Sequence, residues 1–492
     1  MPDADQDLRH GPARRIARNA ALRAGGEVVG KLASLAFFVA MARQLGQDGF
    51  GDFVFALSLS TVLVLASGFG TEELVAREVA RDRDRVHGYL ADVVAVKIIT
   101  SLVLLGLGAF AVNAVGYDPN ARAAYYIIGI GAAAENLGRT WHSVFTAYER
   151  LELISVSLIL QRTVTAAVGI AVLLAGGGLL AVAVVFTLGA FAGLLTASQV
   201  LRRHLVAPRW KFDRERWLPL LKAGIPIGIA GTLMTILLRA DAALLGVLVG
   251  SEDSSEVGIY GAAFRLVEGT LFISWAFSTA MLPWIARQHR NTDVAPGYEL
   301  GLKAITSVLM PIALVFALLP GSVIDLLYGA GYTDAELPLQ LLSVMIVAYG
   351  ISSVAATVMI ARDRPQKLTR ILLIVVVENI GLNLLLIPRY GADAAAFNAA
   401  LSGLLLAVLT LWVVTRHVGA ISVARAFIAP VAGGLCMAAA VMLTNLPLVP
   451  AAALGVLAYG VALLIVEKML FPEDFGRLRG MLPARARRFI PA

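Results

Sequence analysis

The chain contains almost no cysteine and no clustered histidine, which excludes several kinds of site. Its 492 residues include a single cysteine, Cys436, so neither an internal disulfide nor a cysteine-ligated metal site can form. The six histidines are scattered and do not show the spacing of metal ligands. We therefore expect no bound metal.

Charge is also scarce. Charged residues make up 15% of the chain and hydrophobic residues 58%, whereas about 25% charged residues is usual for a soluble protein. Apolar runs long enough to cross a bilayer recur from residue 20 to residue 470. The sequence predicts an all-α integral membrane protein with fourteen transmembrane helices, at roughly 20–42, 51–70, 88–113, 122–147, 152–175, 178–201, 219–249, 256–286, 299–319, 336–361, 368–388, 394–415, 421–443 and 447–470.

Positive charge is nearly missing from every second connection between these helices. With the N-terminus in the cytoplasm, 30 of the 41 lysines and arginines fall in cytoplasmic segments and three in outer loops. This bias predicts that both termini are cytoplasmic. The basic N-terminal segment lacks a compact apolar run with a cleavage site, so we expect it to be retained. The net charge of +7 then reflects topology, and no nucleic-acid partner is expected.

A weak internal repeat relates two parts of the chain. "LRAGGEVVG" (22–30) begins the first predicted helix and "LKAGIPIGI" (221–229) begins the seventh. Two six-helix units insert the same way up, as in transporters built from parallel repeats. The predicted organisation is a cytoplasmic tail (1–19), an N-lobe of helices 1–6 (20–204), a cytoplasmic linker (205–218), a C-lobe of helices 7–12 (219–417), helices 13–14 (421–470) and a basic cytoplasmic tail (471–492).

Several basic residues fall inside the predicted helices, where a charge at the bilayer centre costs at least about 2.5 kcal/mol. Lys97 and Lys303 lie near cytoplasmic helix ends, where we expect them to snorkel to the surface. In the first unit, basic residues outnumber acidic ones by three in our count. Unpaired positive charge at membrane depth requires water or an anionic ligand, and the planar guanidinium suits phosphate. The candidates for a cationic, substrate-binding cavity are Arg23, Lys31, Arg139, Arg162, Arg239 and Arg265.

A purely structural role is the alternative for part of this set. Arg239 and Asp241 lie two positions apart on one helix, so they cannot pair directly. Asp241 could pair with Arg265 across the hairpin, and Arg265 with Glu268 at the i, i+3 spacing. A closed network of these four side chains would only lock the hairpin.

Acidic residues inside the helices are candidates for ion coupling: Glu27, Asp241 and Glu378. The sequence does not select among them, nor between H⁺ and Na⁺. "GGEVVGKL" (25–32) matches the start of a phosphate-binding loop, but Leu32 occupies the Ser/Thr position and the match lies within a membrane helix. We therefore expect no cofactor, and a driving force from an ion gradient or from the substrate gradient.

Small or helix-breaking residues interrupt the first and seventh helices at matching places. Such interruptions in two repeats indicate a substrate site or a hinge. The hinge candidates are Gly25, Gly26, Gly30, Gly224, Pro226 and Gly228. Close helix packing through small residues is the alternative.

Four segments together resemble the polysaccharide (O-antigen type) flippases of the multidrug/oligosaccharidyl-lipid/polysaccharide exporter superfamily. They are "RNAALRAGGEVVGKLASLAFFVAMARQLGQDGFGDFVFALSLS" (18–60), "LRADAALLG" with "VGIYGAAFRLVE" (238–268), "LLYGAGYTDA" (326–335) and "ENIGLNLLLIPRYGADAAAFNAALS" (378–402). The resemblance covers nearly the whole chain. It implies two six-helix lobes plus a terminal helix pair, with a cationic cavity between the lobes.

The resemblance also implies a function. A protein of this kind moves an undecaprenyl-pyrophosphate-linked oligosaccharide from the cytoplasmic to the outer leaflet of the bacterial inner membrane by alternating access, for cell-surface polysaccharide biosynthesis. The partners expected from it are the lipid-linked glycan, membrane lipids and polysaccharide assembly enzymes. The lipid II flippases share this architecture, but their characteristic N-terminal pattern is not found here.

Two other functions stay open. An ion-coupled drug or cation antiporter of the same superfamily would be expected to carry excess acidic charge inside the membrane. A membrane-embedded glycan polymerase or ligase would be expected to carry clustered catalytic groups on a substantial outer loop. The longest predicted outer loop, about 320–335, offers only Asp325, Asp334 and Glu336. We expect a transporter and not an enzyme.

Overall fold

The computed structural model describes the backbone of residues 4–208, 210, 212–249, 253–286, 295–417, 422–444 and 446–473, with side chains from residue 29 onward except 283, 284, 286, 295, 296, 417 and 423. Over these residues the chain is helical and contains no strand. The α-helices are α1 (Ala4–Ala66), α2 (Thr71–Arg81), α3 (Val86–Val115), α4 (Pro119–Ala147), α5 (Leu151–Leu174), α6 (Leu179–His204), α7 (Arg214–Leu248), α8 (Ser254–Ala286), α9 (Ala295–Leu318), α10 (Pro320–Tyr328), α11 (Glu336–Ala361), α12 (Pro365–His417), α13 (Val423–Met442) and α14 (Leu448–Leu470).

The two longest helices are each bent at one glycine. Gly46 in α1 has φ 70° and ψ −176°, and Gly391 in α12 has φ 50° and ψ −130°. Residues other than glycine rarely adopt such angles, so a glycine is needed at each bend. Each helix therefore contains two of the predicted membrane helices, one on either side of its glycine.

The described helices account for the predicted fourteen crossings. Eleven helical segments are long and apolar enough to span a membrane. Two of them, Val29–Ala66 and Pro365–Arg416, have 38 and 52 residues, whereas one crossing needs about 20. Counting these two twice and adding α4, which carries Glu135 and Arg139, gives fourteen. The all-α membrane fold class is confirmed.

Two short helices were not predicted. The helix α10, with the 3₁₀ turn Ala330–Ala335, occupies most of what the sequence analysis treated as an outer loop. The helix α2 follows the second membrane crossing and buries Leu74, Val75 and Val79. Its first turn carries Glu72 and Glu73, so α2 brings two carboxylates against the membrane helices.

Residues 1–261 and 262–492 form two compact units. In the first, the apolar side of α2 packs on α4 and α6 through residues such as Val75, Trp141 and Phe145. In the second, Tyr459 of α14 and Met437 of α13 pack against α9. The predicted six-helix lobes and their linker stay a prediction.

Within the second unit, an ion pair links α14 to α9. Lys303 of α9 places its Nζ 2.9 Å from Oε1 of Glu467 on α14, and both side chains are largely buried. The ammonium also lies 4.3 Å from the centre of the Phe471 ring. The prediction that Lys303 snorkels to the surface is wrong, because a carboxylate far along the chain supplies its partner inside the protein.

Candidate functional site

A polar cavity of about 400 Å³ lies within the first unit, between α2, α4, α5 and α6. The helix α4 presents Glu135, Arg139 and His142 to it, at spacings that place them on one face. The polar side chains that line the cavity are Glu72, Glu73, Glu135, Arg139, His142, Ser143, Thr146, Gln161 and Arg162.

Two of the predicted substrate-binding arginines meet here. Arg139 is exposed to the cavity, and Arg162 is half-buried. Arg162 Cδ lies 3.4 Å from the place that a Cβ on Gly30 would take, so the arginine stem rests against α1 at a glycine. Within the described residues, neither guanidinium has a carboxylate oxygen within 4.0 Å. Both charges are therefore available to a ligand.

Lys97 is a buried structural cation and not a surface one. Its side chain is 0% exposed, and its Nζ lies 2.8 Å from Oε1 of Glu72. It also donates to the carbonyl of Asn136 at 3.1 Å. The prediction that Lys97 snorkels is wrong, because α2 folds back and brings Glu72 to it.

Because Lys97 and Glu72 neutralise each other, neither charge is available to bind a ligand. Burial alone would raise the pKa of Glu72, but the charges of Lys97 and Arg139 hold this pKa below its ordinary value. Glu72 therefore stays ionised at neutral pH and balances Lys97.

His142 lines the cavity and is hydrogen-bonded to the neighbouring helix. Its Nε2 and Ser157 Oγ share a hydrogen bond of 2.8 Å, and Ser157 Oγ also lies 2.9 Å from the carbonyl oxygen of Ile154. This hydrogen bond links α4 to α5 beside Arg139 and Arg162.

Two carboxylates of the cavity, Glu73 and Glu135, have no basic partner within 4.0 Å among the described residues. Glu73 is exposed and Glu135 half-buried. The charge count from sequence also left out Asp52 and Asp92, which are 9% and 1% exposed. Within the cavity itself, the lining carries three carboxylates (Glu72, Glu73 and Glu135) and two guanidiniums (Arg139 and Arg162), so it does not show the surplus of positive charge predicted for the first unit.

The remaining arginine candidates lie elsewhere. Arg239 is half-buried on α7, two positions from Asp241, which is 1% exposed and accepts a hydrogen bond from the hydroxyl of Tyr260 at 3.2 Å. In the second unit, Arg265 Nη1 lies 2.7 Å from Glu268 Oε2, which confirms that predicted pair. The pairing of Asp241 with Arg265 would join the two units and stays a prediction.

Glu378 belongs to a polar cluster where α12 folds back on itself. Ser402 donates to one Glu378 oxygen at 2.9 Å, and Asn379 donates to Ser402 at 3.1 Å. Asn398 donates to the carbonyl of Asn379 at 2.7 Å. The second Glu378 oxygen is buried and has no hydrogen-bond partner in the described structure.

Two described glycines of the hinge set, Gly224 and Gly228, are sites of close packing, whereas a Cβ on Gly30 would meet only the side chain of Arg162. A Cβ on Gly224 would lie 2.6 Å from the carbonyl oxygen of Phe69, and one on Gly228 would overlap the backbone of Gly70. The helix α7 runs unbroken through Pro226. Whether these positions also act as a hinge stays a prediction.

Some predicted site residues lie where side chains are not described. The side chains of Arg23 and Glu27 and the surroundings of Gly25 and Gly26 lie outside the described residues. Lys31 is half-buried on α1, next to the glycine that Arg162 contacts.

Comparison with known proteins gives matches over most of the chain. A family model described as "Polysaccharide biosynthesis protein" matches residues 16–289. The chain is 24% identical over 367 residues to the "Probable low-salt glycan biosynthesis flippase Agl15" of Haloferax volcanii, which covers 73% of this chain and 75% of that protein.

Two solved structures resemble the fold. One is the lipid II flippase MurJ in an inward closed conformation, with a TM-score of 0.77, 15% identity and coverage of 92% of this chain and 99% of that chain. The other is an inward-facing multidrug resistance MATE family transporter of the MOP superfamily, with a TM-score of 0.65, 15% identity and coverage of 79% and 94%. At these identities the likeness concerns the fold.

Proposed function

The chain belongs to the polysaccharide biosynthesis protein family, as its sequence predicted, and on this premise we propose that it is a flippase for a lipid-linked glycan. The relative from Haloferax volcanii is named as a probable glycan biosynthesis flippase, and the resemblance to MurJ and MATE structures is that of a transporter fold. Both support a transporter over a membrane-embedded polymerase or ligase.

The proposed substrate is an undecaprenyl-pyrophosphate-linked oligosaccharide, moved from the cytoplasmic to the outer leaflet of the bacterial inner membrane for cell-surface polysaccharide biosynthesis. One observation carries this proposal: Arg139 and Arg162 face a cavity inside a membrane helix bundle without an ion-pair partner among the described residues. A guanidinium binds phosphate oxygens in a bidentate manner. A charge at such a depth is stabilised by a polar ligand or by water.

Alternating access would move the polar head while the lipid tail stays in hydrocarbon. A polar glycan cannot cross lipid without a hydrogen-bonding environment, and the cavity supplies part of that environment. The prenyl chain would lie along α13 and α14, where Leu435, Leu443 and Leu457 are exposed and charge is rare. The helices α1 and α7 would carry the hinge movement.

Glu378 is the coupling residue that its surroundings favour. One of its oxygens accepts a hydrogen bond from Ser402, and the other is buried without a hydrogen-bond partner among the described residues, so this second oxygen could take a proton or Na⁺. Asp241 has a hydroxyl partner in Tyr260, and Glu27 lies where side chains are not described.

The first experiment is mass spectrometry of prenyl-pyrophosphate lipids in cells depleted of this protein, with leaflet accessibility measured by an impermeant reagent. We expect one glycolipid to accumulate on the cytoplasmic side, and its mass would identify the glycan. Complementation with Arg162→Ala should fail to clear this lipid. Complementation with Glu152→Ala, which removes an exposed carboxylate beside Arg150, should clear it. If depletion causes no lipid to accumulate, the proposed function is wrong.

A further inference from the structure

The polar cavity within the first unit contains unpaired charges of both signs even when the Lys97–Glu72 pair is left out. Lys97 and Glu72 neutralise each other at 2.8 Å. The charged side chains left in the lining are Glu73, Glu135, Arg139 and Arg162. None of these four has an opposite charge within 4.0 Å in the described part of the chain.

The separation of Glu135 from Arg139 is informative because helix geometry would allow them to pair. A glutamate four residues before a basic residue is the favoured arrangement for an ion pair on a helix. Here both side chains line the cavity without making that contact. A ligand that offers both donors and acceptors would satisfy both groups.

We propose that this cavity recognises the sugar next to the diphosphate, with Glu135 and Glu73 accepting hydrogen bonds from hydroxyl or amino groups of that sugar. Arg139 and Arg162 hold the phosphate oxygens in the same cavity. The inference rests on the proposed function and adds a specificity to it: carboxylates reject a bare anion and select a head group that carries hydrogen-bond donors.

The size and remaining lining of the cavity fit such a ligand. Its volume of about 400 Å³ lies in the range of about 300–1,000 Å³ that holds a small molecule. It can take one sugar with its phosphates but not a whole oligosaccharide, so the outer sugars lie outside it. Gln161 adds a donor and an acceptor, and it packs against Gly193, where any larger side chain would displace its amide.

Three short-chain probes test the inference on the purified full-length protein in lipid nanodiscs. They are farnesyl diphosphate, farnesyl diphosphate linked to N-acetylglucosamine, and farnesyl diphosphate linked to glucosamine. We expect the sugar-bearing probes to bind about tenfold more tightly than farnesyl diphosphate, as one hydrogen bond to a carboxylate would give. Tighter binding of the glucosamine probe would assign an ammonium contact, and equal binding of the two sugars would assign hydroxyl contacts.

The variants locate the effect. Glu135→Ala should bring the affinity ratio between sugar-bearing and sugar-free probes close to one, and Glu73→Ala should lower it. Glu135→Gln keeps the side-chain volume and should also lower the ratio. Glu152→Ala, the matched control on the exposed start of α5, should keep the ratio at its wild-type value. Arg162→Ala should weaken all three probes together.

Two outcomes separate this inference from the function on which it rests. If farnesyl diphosphate binds in an Arg162-dependent way but the sugar adds no affinity, or if Glu135→Ala keeps the ratio, the sugar assignment is wrong and the flippase proposal stands. If no probe binds, or if Arg162→Ala changes none of the affinities, the phosphate site and the sugar site are both refuted.

Discussion

Replacing Glu72 by glutamine should destabilise the protein more than replacing Lys97 by methionine, although both changes break the same ion pair. The two partners differ in their access to water. Lys97 is 0% exposed, whereas 23% of the Glu72 side chain is exposed at the edge of the cavity.

The magnitudes follow from what each change leaves behind. Glu72→Gln leaves a fully buried ammonium whose other hydrogen bond goes to the carbonyl of Asn136, and an uncompensated buried charge costs about 3–5 kcal/mol of unfolding free energy. Lys97→Met leaves a carboxylate that can hydrate from the cavity, so we expect a loss of about 1–3 kcal/mol. The double variant replaces both charges by neutral groups of similar volume and should recover most of the loss.

Denaturant unfolding in detergent micelles, followed by tryptophan fluorescence, measures these differences as a double-mutant cycle. Glu152→Gln is the control, because Arg150 and Glu152 form an ion pair that is nearly half exposed and should be worth less than about 1 kcal/mol. If Glu72→Gln costs no more than this control, or if the double variant loses the sum of the single losses, the pair is solvated and the reasoning is refuted.

Three further predictions concern the pH dependence of the Lys97–Glu72 pair, the close contact at Gly228 and the role of Arg239. Because the pKa of Glu72 is held below its ordinary value of 4.5, its stabilisation is complete above about pH 4.5 and is lost as the pH falls through the lower folded pKa; this acid step in unfolding free energy should shrink in Lys97→Met. Gly228→Ala should lose about 1–3 kcal/mol of unfolding free energy, because a Cβ there overlaps backbone. The control is Gly231→Ala on the same helix as Gly228. A Cβ there would meet only the carboxylate of Glu73, at 3.9 Å, so this change should be neutral or slightly stabilising. Arg239→Ala should impair lipid clearance in depleted cells while leaving the protein inserted; normal clearance would assign Arg239 to a structural network.

The membrane helices could be predicted because the bilayer fixes their length and polarity. The predicted span 336–361 coincides with α11, and the predicted span 152–175 differs from α5 by one residue at each end. What the length of an apolar run cannot give is whether two spans form separate helices. At Gly46 and Gly391 the backbone leaves helical angles, so α1 and α12 each consist of two helical parts joined at a glycine.

The helix α2 was missed although its sequence carries a signal. The segment is too short and too charged for a membrane span, and the sequence analysis assigned it to a cytoplasmic loop. Its buried residues Thr71, Leu74, Val75 and Val79 nevertheless recur at the spacing of one helix face. The charge count from sequence therefore left out the carboxylate that neutralises Lys97.

Whether a charged residue is structural or binds a ligand depends on its partner in the fold, and the sequence does not show which residue that partner is. The partner of Lys97 is 25 residues away and that of Lys303 is 164 residues away, so no local spacing reveals either pair. A surplus of positive charge along a set of helices is thus weak support for an anion site, because distant carboxylates can cancel it. Geometry gives stronger support: Arg139 and Arg162 face one cavity with Glu73 and Glu135, and these four form no ion pair within the described residues. The proposed ligand would pair with charges of both signs at once, whereas a simple anion would pair with the two arginines alone.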